Sequence, residues 1–453
     1  MLKHTFVFMN YRLALILVPF IFLVSCSSSR QIAKSAQENV LNDEALRTAQ
    51  VGISVYEPAT GKYWYNFNGD KYFVPASNTK LPTCYAAMKY LGDSLVGLTY
   101  AHSFDDNIEI VATADPTFLH PDFKKQPVFD FLKLQTSITV FTGNWNESAW
   151  GSGWAWNDYD ASYMAERSPM PVLGNIVNFR KATQLTYNAE MHTYPVNAIA
   201  FPHIFQDSIK EHLDYPIAID SFEISRKMNK NAFDLTISKR KFSVAEIPFV
   251  TYGFGTTLKI LEDTLKMRLA VTNVNLNPQI KVHSQPTDSL LKPMMHRSDN
   301  FFAEQSLLMV SNEFLGVMND AKIIDTLLKT DFKDLPQKPR WVDGSGLSRY
   351  NLFTPKDFVF ILNKMKTDFG MDRIKNILPT GNEGTLEGRF IADSNHIFAK
   401  TGTLSGVVAL SGFLYTNKNK LLIFSVQVNN HNTSATAVRR AVEKFIHGLR
   451  RKY

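Results

Sequence analysis

Two periodicities of apolar residues organise the chain. Val51–Tyr56 and Lys62–Phe67 alternate apolar with polar residues on either side of a turn at Pro58–Gly61, which predicts a strand–turn–strand hairpin. Apolar residues then recur at roughly helical spacing over Leu81–Leu91, and they do so again over Thr256–Met267. The chain therefore combines strands with helices.

A strand-rich region separates these two helical segments. Its runs of alternating apolar and polar residues are Asn107–Ala112, Ser137–Thr142, Ala232–Ser238 and Phe242–Val250. We therefore place a β-rich insert at residues 99–250. We expect residues 43–98 and 251–453 to form one discontinuous domain around it.

The start of the chain has the pattern of a secretory leader. Basic residues precede an apolar run, Leu13–Val24, that is too short to span a bilayer. The run ends in Leu23-Val24-Ser25-Cys26, which is similar to a bacterial lipobox. We therefore expect residues 1–25 to be a lipoprotein signal peptide, Cys26 to be lipidated and residues 26–42 to form a polar tether with a short helix. Plain signal-peptide cleavage near Ser25 is the alternative.

The composition is that of a globular protein with a mild positive charge. Apolar residues make up 45% of the 453 residues and charged residues 20%, which excludes a disordered or fibrous chain. The net charge of +7 falls to about +5 without the leader. The sequence has no arginine-rich arm, phosphate-binding glycine loop or Cys–His cluster, so we expect no nucleic acid, metal or other cofactor. With Cys26 acylated, Cys84 is the remaining thiol, which excludes an intramolecular disulfide.

The candidate nucleophile is Ser77, three residues before Lys80. In the first turn of a helix the two side chains share a face, so the lysine amine can reach the serine hydroxyl. A serine needs a neighbouring base to take its proton, and a lysine can be that base if burial or a nearby cation lowers its pKa. The spacing alone is weak evidence, because it recurs at Ser238–Lys241 and Ser289–Lys292. Pro82 removes one N–H early in this helix, and we expect it to loosen the second turn.

Two later motifs make the assignment specific. Ser298-Asp299-Asn300 lies between helix-like segments, and Lys400-Thr401-Gly402-Thr403 lies on or beside a predicted strand. Ser-x-x-Lys, Ser-x-Asn and Lys-Thr-Gly in this order are the signature of penicillin-binding proteins and serine β-lactamases. The motifs therefore predict acyl transfer through a serine nucleophile.

Five side chains would carry the acyl-transfer chemistry. Ser77 would attack, and Lys80 would accept its proton while the positive charge of Lys400 keeps it neutral. Ser298 would relay that proton to the departing nitrogen. Asn300 would fix both the lysine and the substrate amide.

The Lys-Thr-Gly strand would bind the substrate. Lys400 and Thr401 would hold a substrate carboxylate by charge-assisted hydrogen bonds. Beyond Gly402, the backbone N–H of Thr403 would form the oxyanion hole together with that of Ser77.

From about Val51 onward the chain resembles the class C low-molecular-mass penicillin-binding proteins, the D-alanyl-D-alanine carboxypeptidase/endopeptidases of the penicillin-binding protein 4 type. The segments that carry the resemblance are Ala114-Asp115-Pro116-Thr117, Gly153–Asp158, Ser298–Glu304, Asp343–Asn351 and Lys400–Gly406. The resemblance implies an α+β fold in which an antiparallel sheet flanked by helices is split by an inserted domain. It also implies cleavage of the D-Ala-D-Ala bond, or of the D-Ala–diaminopimelate cross-link, in peptidoglycan stem peptides, with inhibition by β-lactams.

Two further positions follow from the resemblance. Asp115 and Arg349 would lie near the substrate's diaminopimelate side chain, the aspartate facing its ammonium and the arginine its carboxylate. The alternative is that Asp115 starts a turn and Arg349 makes a local ion pair. We interpret Trp154 and Trp156 as aromatic wedges between domains.

Several alternatives stay open at this point. A β-lactamase or esterase would share the chemistry, although the large insert argues against it. A catalytically silent wall-binding protein would have lost the nucleophile or the base, and a transpeptidase would pass the acyl group to an amine instead of water. No residue decides between carboxypeptidase and endopeptidase. We expect a periplasmic protein anchored by its lipid, and Ser27 after Cys26 favours the outer membrane.

Overall fold

The computed structural model describes residues 30–103, 107–182, 197–212, 221–275 and 277–453. The predicted signal peptide and Cys26 lie outside these ranges. The strands are β1 (Gln50–Glu57), β2 (Lys62–Phe67), β3 (Ser94–His102), β4 (Asn107–Ala112), β5 (Ser137–Phe141), β6 (Ile176–Lys181), β7 (Ala198–Phe201), β8 (Ile209–Glu211), β9 (Phe222–Arg226), β10 (Phe233–Ile237), β11 (Val244–Pro248), β12 (Ala270–Thr272), β13 (Ile280–Pro286), β14 (Ile397–Leu404), β15 (Val407–Tyr415) and β16 (Leu421–Asn429). The α-helices are α1 (Lys80–Tyr90), α2 (Pro127–Leu132), α3 (Gly255–Leu265), α4 (Thr287–His296), α5 (Asn300–Leu315), α6 (Asp320–Lys329), α7 (Pro355–Ile377, interrupted at Gly370) and α8 (Ala435–Lys452). No helix within the described ranges is long and apolar enough to cross a membrane.

A five-stranded antiparallel sheet forms the centre of the fold. Its order is β14-β15-β16-β1-β2, so the first hairpin of the chain lies beside the last three strands. β1 and β16 pair continuously from Gln50–Asn429 to Tyr56–Ile423. β14, which carries the Lys-Thr-Gly motif, lies at one edge of this sheet.

Helices cover both faces of the central sheet, because its strands are apolar on both sides. Val426 and Val428 of β16 share a core cluster with Phe445 of α8. Ile423 instead shares a cluster with helices α1 and α5 on the opposite face. Gln427 lies on that second face as well, and its Nε2 donates to Asn78 Oδ1 at 3.3 Å. Polar side chains of the inner strands, such as that of Gln427, therefore lie on the face of the sheet that contacts the Ser77 turn.

The helix after Ser77 is almost wholly buried. A 3₁₀ turn, Ala76–Thr79, leads into α1 at Lys80, so Ser77 lies in the 3₁₀ turn and not in the first turn of an α-helix as we expected. Pro82 falls in the first turn of α1, where backbone N–H groups have no intrahelical partner to lose. It therefore does not loosen the second turn.

Residues 30–41 are helical, in the segment where we expected a tether with a short helix, but they pack against the fold. Ile32, Ala36 and Val40 are buried in the core cluster that contains the apolar face of α8. Part of the predicted tether therefore belongs to the folded body.

The insert is built on a second five-stranded sheet of order β12-β5-β4-β3-β13. β3 and β13 pair antiparallel, so the chain enters and leaves the insert on neighbouring strands. β4, β5 and β12 run parallel, and α2 connects β4 to β5. Two three-stranded sheets, β11-β6-β7 and β8-β10-β9, contribute to the same core.

The insert includes more of the chain than we expected. Ile260 of α3 lies in the same core cluster as Leu98 of β3, and β12 and β13 complete the insert's sheet. We therefore propose residues 94–286 for this unit instead of 99–250. The apolar spacing of Thr256–Met267 misled the assignment, because a helix of an insert has the same period as a helix of the flanking domain.

Cys84 provides a test of the packing around α1. Its thiol is fully buried, and burial raises its pKa to about 12. Because the thiolate is the reactive form, we expect a thiol reagent at pH 8 to leave the native full-length Cys26→Ala variant unmodified. The same reagent should modify it completely after denaturation, as measured by mass spectrometry. Modification of the native protein within minutes would contradict this packing.

Candidate active site

The Ser77 turn is held by close backbone contact with a loop from far along the chain. Ala76 has a φ of +47°, a left-handed conformation that is costly for a residue with a Cβ. A Cβ on Gly346, whose φ is +82°, would lie 1.9 Å from the Ala76 carbonyl oxygen. Thr83 Oγ1 also donates to the Gly344 carbonyl at 2.7 Å. Only glycine at position 346 lets the loop pack this closely against the Ser77 turn.

Lys80 has three acceptors and no exposure to solvent. Its Nζ lies 3.1 Å from Ser77 Oγ, 2.6 Å from Asn300 Oδ1 and 2.9 Å from the Ser345 carbonyl oxygen. Burial lowers the pKa of Lys80 to about 8, although Asp299, Asp343 and Glu304 act in the opposite direction. A neutral amine in this position can accept the proton of the Ser77 hydroxyl.

Lys400 occupies a second buried position beside Ser298. Its Nζ donates to Ser298 Oγ at 2.9 Å and to the Thr401 carbonyl at 2.9 Å. Burial lowers the pKa of Lys400 well below its usual value, and the charge of Lys80 lowers it further. We expected the charge of Lys400 to keep Lys80 neutral, but desolvation is the main cause for both amines.

The Ser298 motif forms the entrance to α5. Ser298 has a φ of +61°, and the Asp299 carboxylate caps the helix by accepting the Phe302 N–H at 2.9 Å. Asn300 is the first helical residue, and its Nδ2 donates to the Tyr163 carbonyl of the insert at 3.0 Å. The cap therefore directs Ser298 towards Lys400 and Asn300 towards Lys80.

β14 closes the other side of the site. The Ala399 N–H points away from β15 and donates to the Pro379 carbonyl at 3.1 Å. Because the direction of the N–H groups alternates from residue to residue along a strand, the N–H groups of Thr401 and Thr403 also point away from β15. A Cβ on Gly402 would lie 2.7 Å from the Pro75 carbonyl oxygen and 3.1 Å from Ser77 N. The strand edge and the Ser77 turn thus approach closely enough for two N–H groups to face one oxyanion.

A cavity of about 510 Å³ lies in front of Ser77. Its lining includes Ser298 and Asn300, and also Thr403 and Arg349. The structure therefore brings together the three motifs and one of the two positions expected to read the substrate's side chain.

Asp115 is not brought to this cavity. Its side chain is buried in the insert, where Oδ1 accepts the N–H and the hydroxyl of Thr117 at 2.9 and 2.8 Å. Asp158, like Arg349, lines the cavity. The Gly153–Asp158 segment carried this signal in the sequence, but we interpreted it only through its tryptophans.

Asp343 organises the loop that contacts Lys80. Its carboxylate accepts the N–H groups of Gly346 and Ser348 at 2.8 and 2.7 Å, and the side-chain amide of Asn351 at 2.7 Å. Trp154 of the insert donates its indole N–H to the same carboxylate at 3.0 Å. Trp154 therefore connects the two units as expected, whereas Trp156 is 69% exposed and does not act as a wedge.

A buried charge cluster, missed in the sequence, supports the same loop. Glu304 Oε1 accepts the Ser345 N–H at 2.7 Å, and Glu304 Oε2 lies 3.4 Å from the Arg167 guanidinium. Arg167, from the insert, also bonds Asp320 at 2.7 Å and Glu147 at 3.1 Å. Because the Ser345 carbonyl accepts from Lys80, this cluster connects the insert to the lysine.

Among the described residues, no group of His, Cys, Asp and Glu side chains could hold a metal ion.

Comparison with known proteins identifies the family. The model of the D-Ala-D-Ala carboxypeptidase 3 (S13) family matches residues 33–451. The chain belongs to this family. The match covers most of the chain, so the predicted class, a serine-type D-Ala-D-Ala carboxypeptidase of the cell wall acting outside the cytoplasm, is confirmed.

Relatives of known activity cover nearly the whole chain. The D-alanyl-D-alanine carboxypeptidase DacB of Haemophilus influenzae is 22% identical over 91% of this chain and 92% of its own length. The D-alanyl-D-alanine carboxypeptidase of Actinomadura sp. strain R39 is 24% identical over 87% of this chain and 80% of its own length. The crystal structure of penicillin-binding protein 4 from Haemophilus influenzae superposes with a TM-score of 0.67 at 18% identity, covering 92% of this chain and 98% of that one. The predicted α+β fold is confirmed.

The pKa of Lys80 gives a pH prediction. If the neutral amine is the base, the acylation rate should rise with pH and reach half of its maximum near pH 8, because about a tenth of the amine is neutral at pH 7. Stopped-flow acylation by a fluorescent penicillin between pH 6 and 9.5, at constant ionic strength, measures this. A rate independent of pH across that range would remove Lys80 from the role of base.

The close approach of Gly346 to Ala76 gives a second prediction. Gly346→Ala should lower the acylation rate roughly tenfold or more and destabilise the protein by about 1–3 kcal/mol, because the added Cβ displaces the Ser77 turn. Gly316→Ala is the matched control, since Gly316 also has a positive φ of +69° but nothing lies within 4 Å of its added Cβ. Equal effects of the two substitutions on acylation would show that only backbone strain matters.

Proposed function

We propose that Ser77 is the nucleophile of this serine DD-peptidase and that Lys80 is its base. The observation that carries the proposal is the position of the Lys80 amine. It lies 3.1 Å from Ser77 Oγ, it is buried, and its pKa of about 8 leaves part of it neutral near physiological pH. The other two copies of the Ser-x-x-Lys spacing lack this environment, because Ser289 and Lys292, for example, are both exposed.

The acylation step begins with attack of Ser77 Oγ on the carbonyl carbon of the scissile peptide bond. The Ser77 proton passes to Lys80 as the C–O bond forms, and the oxyanion accepts from the N–H groups of Ser77 and Thr403. Lys80 then passes this proton through the Ser298 hydroxyl, which accepts from Lys400, to the departing nitrogen as the C–N bond breaks, and the Lys80 amine is neutral again. The result is an ester on Ser77 and a free amine.

Water completes the reaction. It attacks the ester carbonyl and gives a proton to the neutral Lys80 amine, which returns the proton to Ser77 Oγ as the ester C–O bond breaks; the second product leaves as a carboxylic acid that ionises to a carboxylate. Asn300, which contacts Lys80 through Oδ1 and is fixed by the insert through Nδ2, keeps the amine in place through both steps.

The substrate in this proposal is a peptidoglycan stem peptide that ends in D-Ala-D-Ala or is cross-linked through D-Ala. Arg349 and Asp158, which both line the cavity, would bind the carboxylate and the ammonium of a zwitterionic side chain. β-Lactams would acylate Ser77. Two relatives support this: one is named penicillin-sensitive carboxypeptidase A, from Dictyostelium discoideum, and the Haemophilus influenzae structure is also known in complex with a β-lactam.

We also propose that Cys26 carries a lipid that anchors the protein in the periplasm, at the outer membrane. The sequence Leu23-Val24-Ser25-Cys26-Ser27 supports this. Because the packed core already includes Ile32, such an anchor would hold the folded body close to the bilayer. Radiolabelled palmitate should be incorporated into the wild-type chain and not into Cys26→Ser, and only the wild type should fractionate with outer membranes.

Substitution of the nucleophile tests the mechanism. Ser77→Ala should abolish covalent labelling by fluorescent penicillin and hydrolysis of a D-Ala-D-Ala peptide, while the melting temperature stays within a few degrees, because only one hydroxyl is removed. Ser289→Ala, at an exposed copy of the same spacing, should be labelled like the wild type. Labelling of the Ser77→Ala protein would place the nucleophile elsewhere. If the wild type and the Ser289→Ala protein are both unlabelled, the result would contradict the proposed function.

A further inference from the structure

A guanidinium approaches the Lys-Thr-Gly strand from the side opposite Ser77. Arg439, in the first turns of α8, donates from Nη2 to Thr403 Oγ1 at 2.8 Å. Alternate residues of β14 point to opposite faces of the sheet. Lys400 points towards Ser298 and the helices around α1, whereas Thr403 meets α8. Arg439 therefore reaches the edge of the cavity, which Thr403 lines, from a part of the chain that carries no motif.

Arg439 has no acidic partner within 4 Å among the described residues. Glu443, one turn further along α8, is the nearest candidate in sequence, but its Oε1 accepts the Phe390 N–H at 2.8 Å and its Oε2 lies 3.7 Å from Arg389 Nε. Arg389 is largely buried and adds a second positive charge. Burial lowers its pKa, and the charge of Arg439 acts in the same direction. The end of β14 is thus a place of excess positive charge.

The groups already assigned to a substrate carboxylate leave room for another cation. Lys400 is buried, its pKa is lowered and its amine already bonds Ser298 Oγ and the Thr401 carbonyl. Arg439 uses one of its five N–H donors on Thr403. Within the described part of the chain its other donors have no hydrogen-bond partner, so they can form a bidentate bond to a carboxylate that Thr403 Oγ1 also contacts.

We propose that Arg439 is a specificity-determining residue that binds the free α-carboxylate of the residue leaving the scissile bond. This inference rests on the proposed function, because it needs a substrate bound along β14. It predicts that the enzyme favours peptides whose terminal carboxylate is free over the same peptides with a terminal amide. The rival explanation is structural, namely that Arg439 only holds the end of β14 in place.

The experiment compares two substrates in the full-length protein. One is an acylated D-Ala-D-Ala peptide with a free carboxylate, and the other is the same peptide with a C-terminal amide. The wild type should hydrolyse the acid with the higher kcat/KM. In Arg439→Ala the acid-to-amide ratio of kcat/KM should fall about 10- to 100-fold, mainly through a higher KM for the acid, since a hydrogen bond between charged groups is lost.

Two control variants separate charge from position. Arg439→Lys keeps the charge without the planar fork, so it should give an intermediate ratio. Arg440→Ala removes the neighbouring arginine, which is exposed, and should keep the wild-type ratio. These comparisons need no correction for partly unfolded enzyme, because a loss of active protein lowers both rates together and leaves the ratio unchanged.

The outcomes distinguish the hypotheses. A fall of both rates by the same factor in Arg439→Ala would overturn the inference and favour the structural explanation, and an unchanged rate on both substrates would overturn it as well. Either result would leave the proposed function intact, since the wild type would still cleave the peptides. A wild type that cleaves neither substrate and is not labelled by fluorescent penicillin would overturn the proposed function, and this inference with it.

Discussion

The burial of one amine constrains the arrangement of this protein. Lys80 is inaccessible to solvent, and a buried ammonium costs several kcal/mol unless well-placed acceptors surround it. Its three acceptors come from three separate parts of the chain: the Ser77 turn, the start of α5 through Asn300, and the loop that contains Ser345. Each must be placed to within a fraction of an ångström to satisfy the amine. The desolvation that makes Lys80 expensive to bury is also what lowers its pKa towards that of a useful base.

The insert contributes to this precision although it contains none of the three motifs. Trp154 bonds Asp343, which shapes the loop carrying Ser345, and Arg167 pairs with Glu304, which accepts the Ser345 N–H. Buried ion pairs of this kind add little net stability, because desolvation offsets much of their attraction. Their effect here is positional, since the removal of one partner would leave a charge unpaired next to the loop. The insert thus supports the position of Lys80, the proposed base, from a distance.

The sequence allowed the candidate reacting groups to be placed better than their surroundings. Chemistry fixes the residue types and the order of the three motifs, so Ser77, Ser298 and Lys400 could be proposed from the sequence, and the structure places them close together. The sequence contains no comparable rule for whether an aspartate faces solvent. Asp115 and Asp158 both lie in segments that resemble the family, and only tertiary packing buries the first and places the second in the cavity.

Long-range electrostatics were missed for a related reason. Arg167 and Glu304 are 137 residues apart in the chain, and each alone is typical of a solvated surface. The cause of the low pKa of Lys80 was also misjudged, because the charge of a nearby lysine can be inferred from a motif, whereas the depth of burial depends on every helix around α1. The end of the insert was missed because periodicity reports the type of an element and not the core to which it belongs.

The position of β14 at the sheet edge explains why a single strand can serve so many roles. An edge strand has N–H and C=O groups without partners in the sheet, which is a liability unless something covers them. Here one edge of β14 pairs with β15, the Ser77 turn packs on one face of the strand near Gly402, and at the free edge the Pro379 carbonyl accepts the Ala399 N–H. Because side chains alternate, Lys400 faces the helices around Ser77 while Thr403 faces α8. A peptide lying along this edge would meet the proposed nucleophile, the proposed oxyanion donors and the proposed carboxylate-binding groups at once. Of the positions available in the central sheet, only an edge strand offers all three to one ligand.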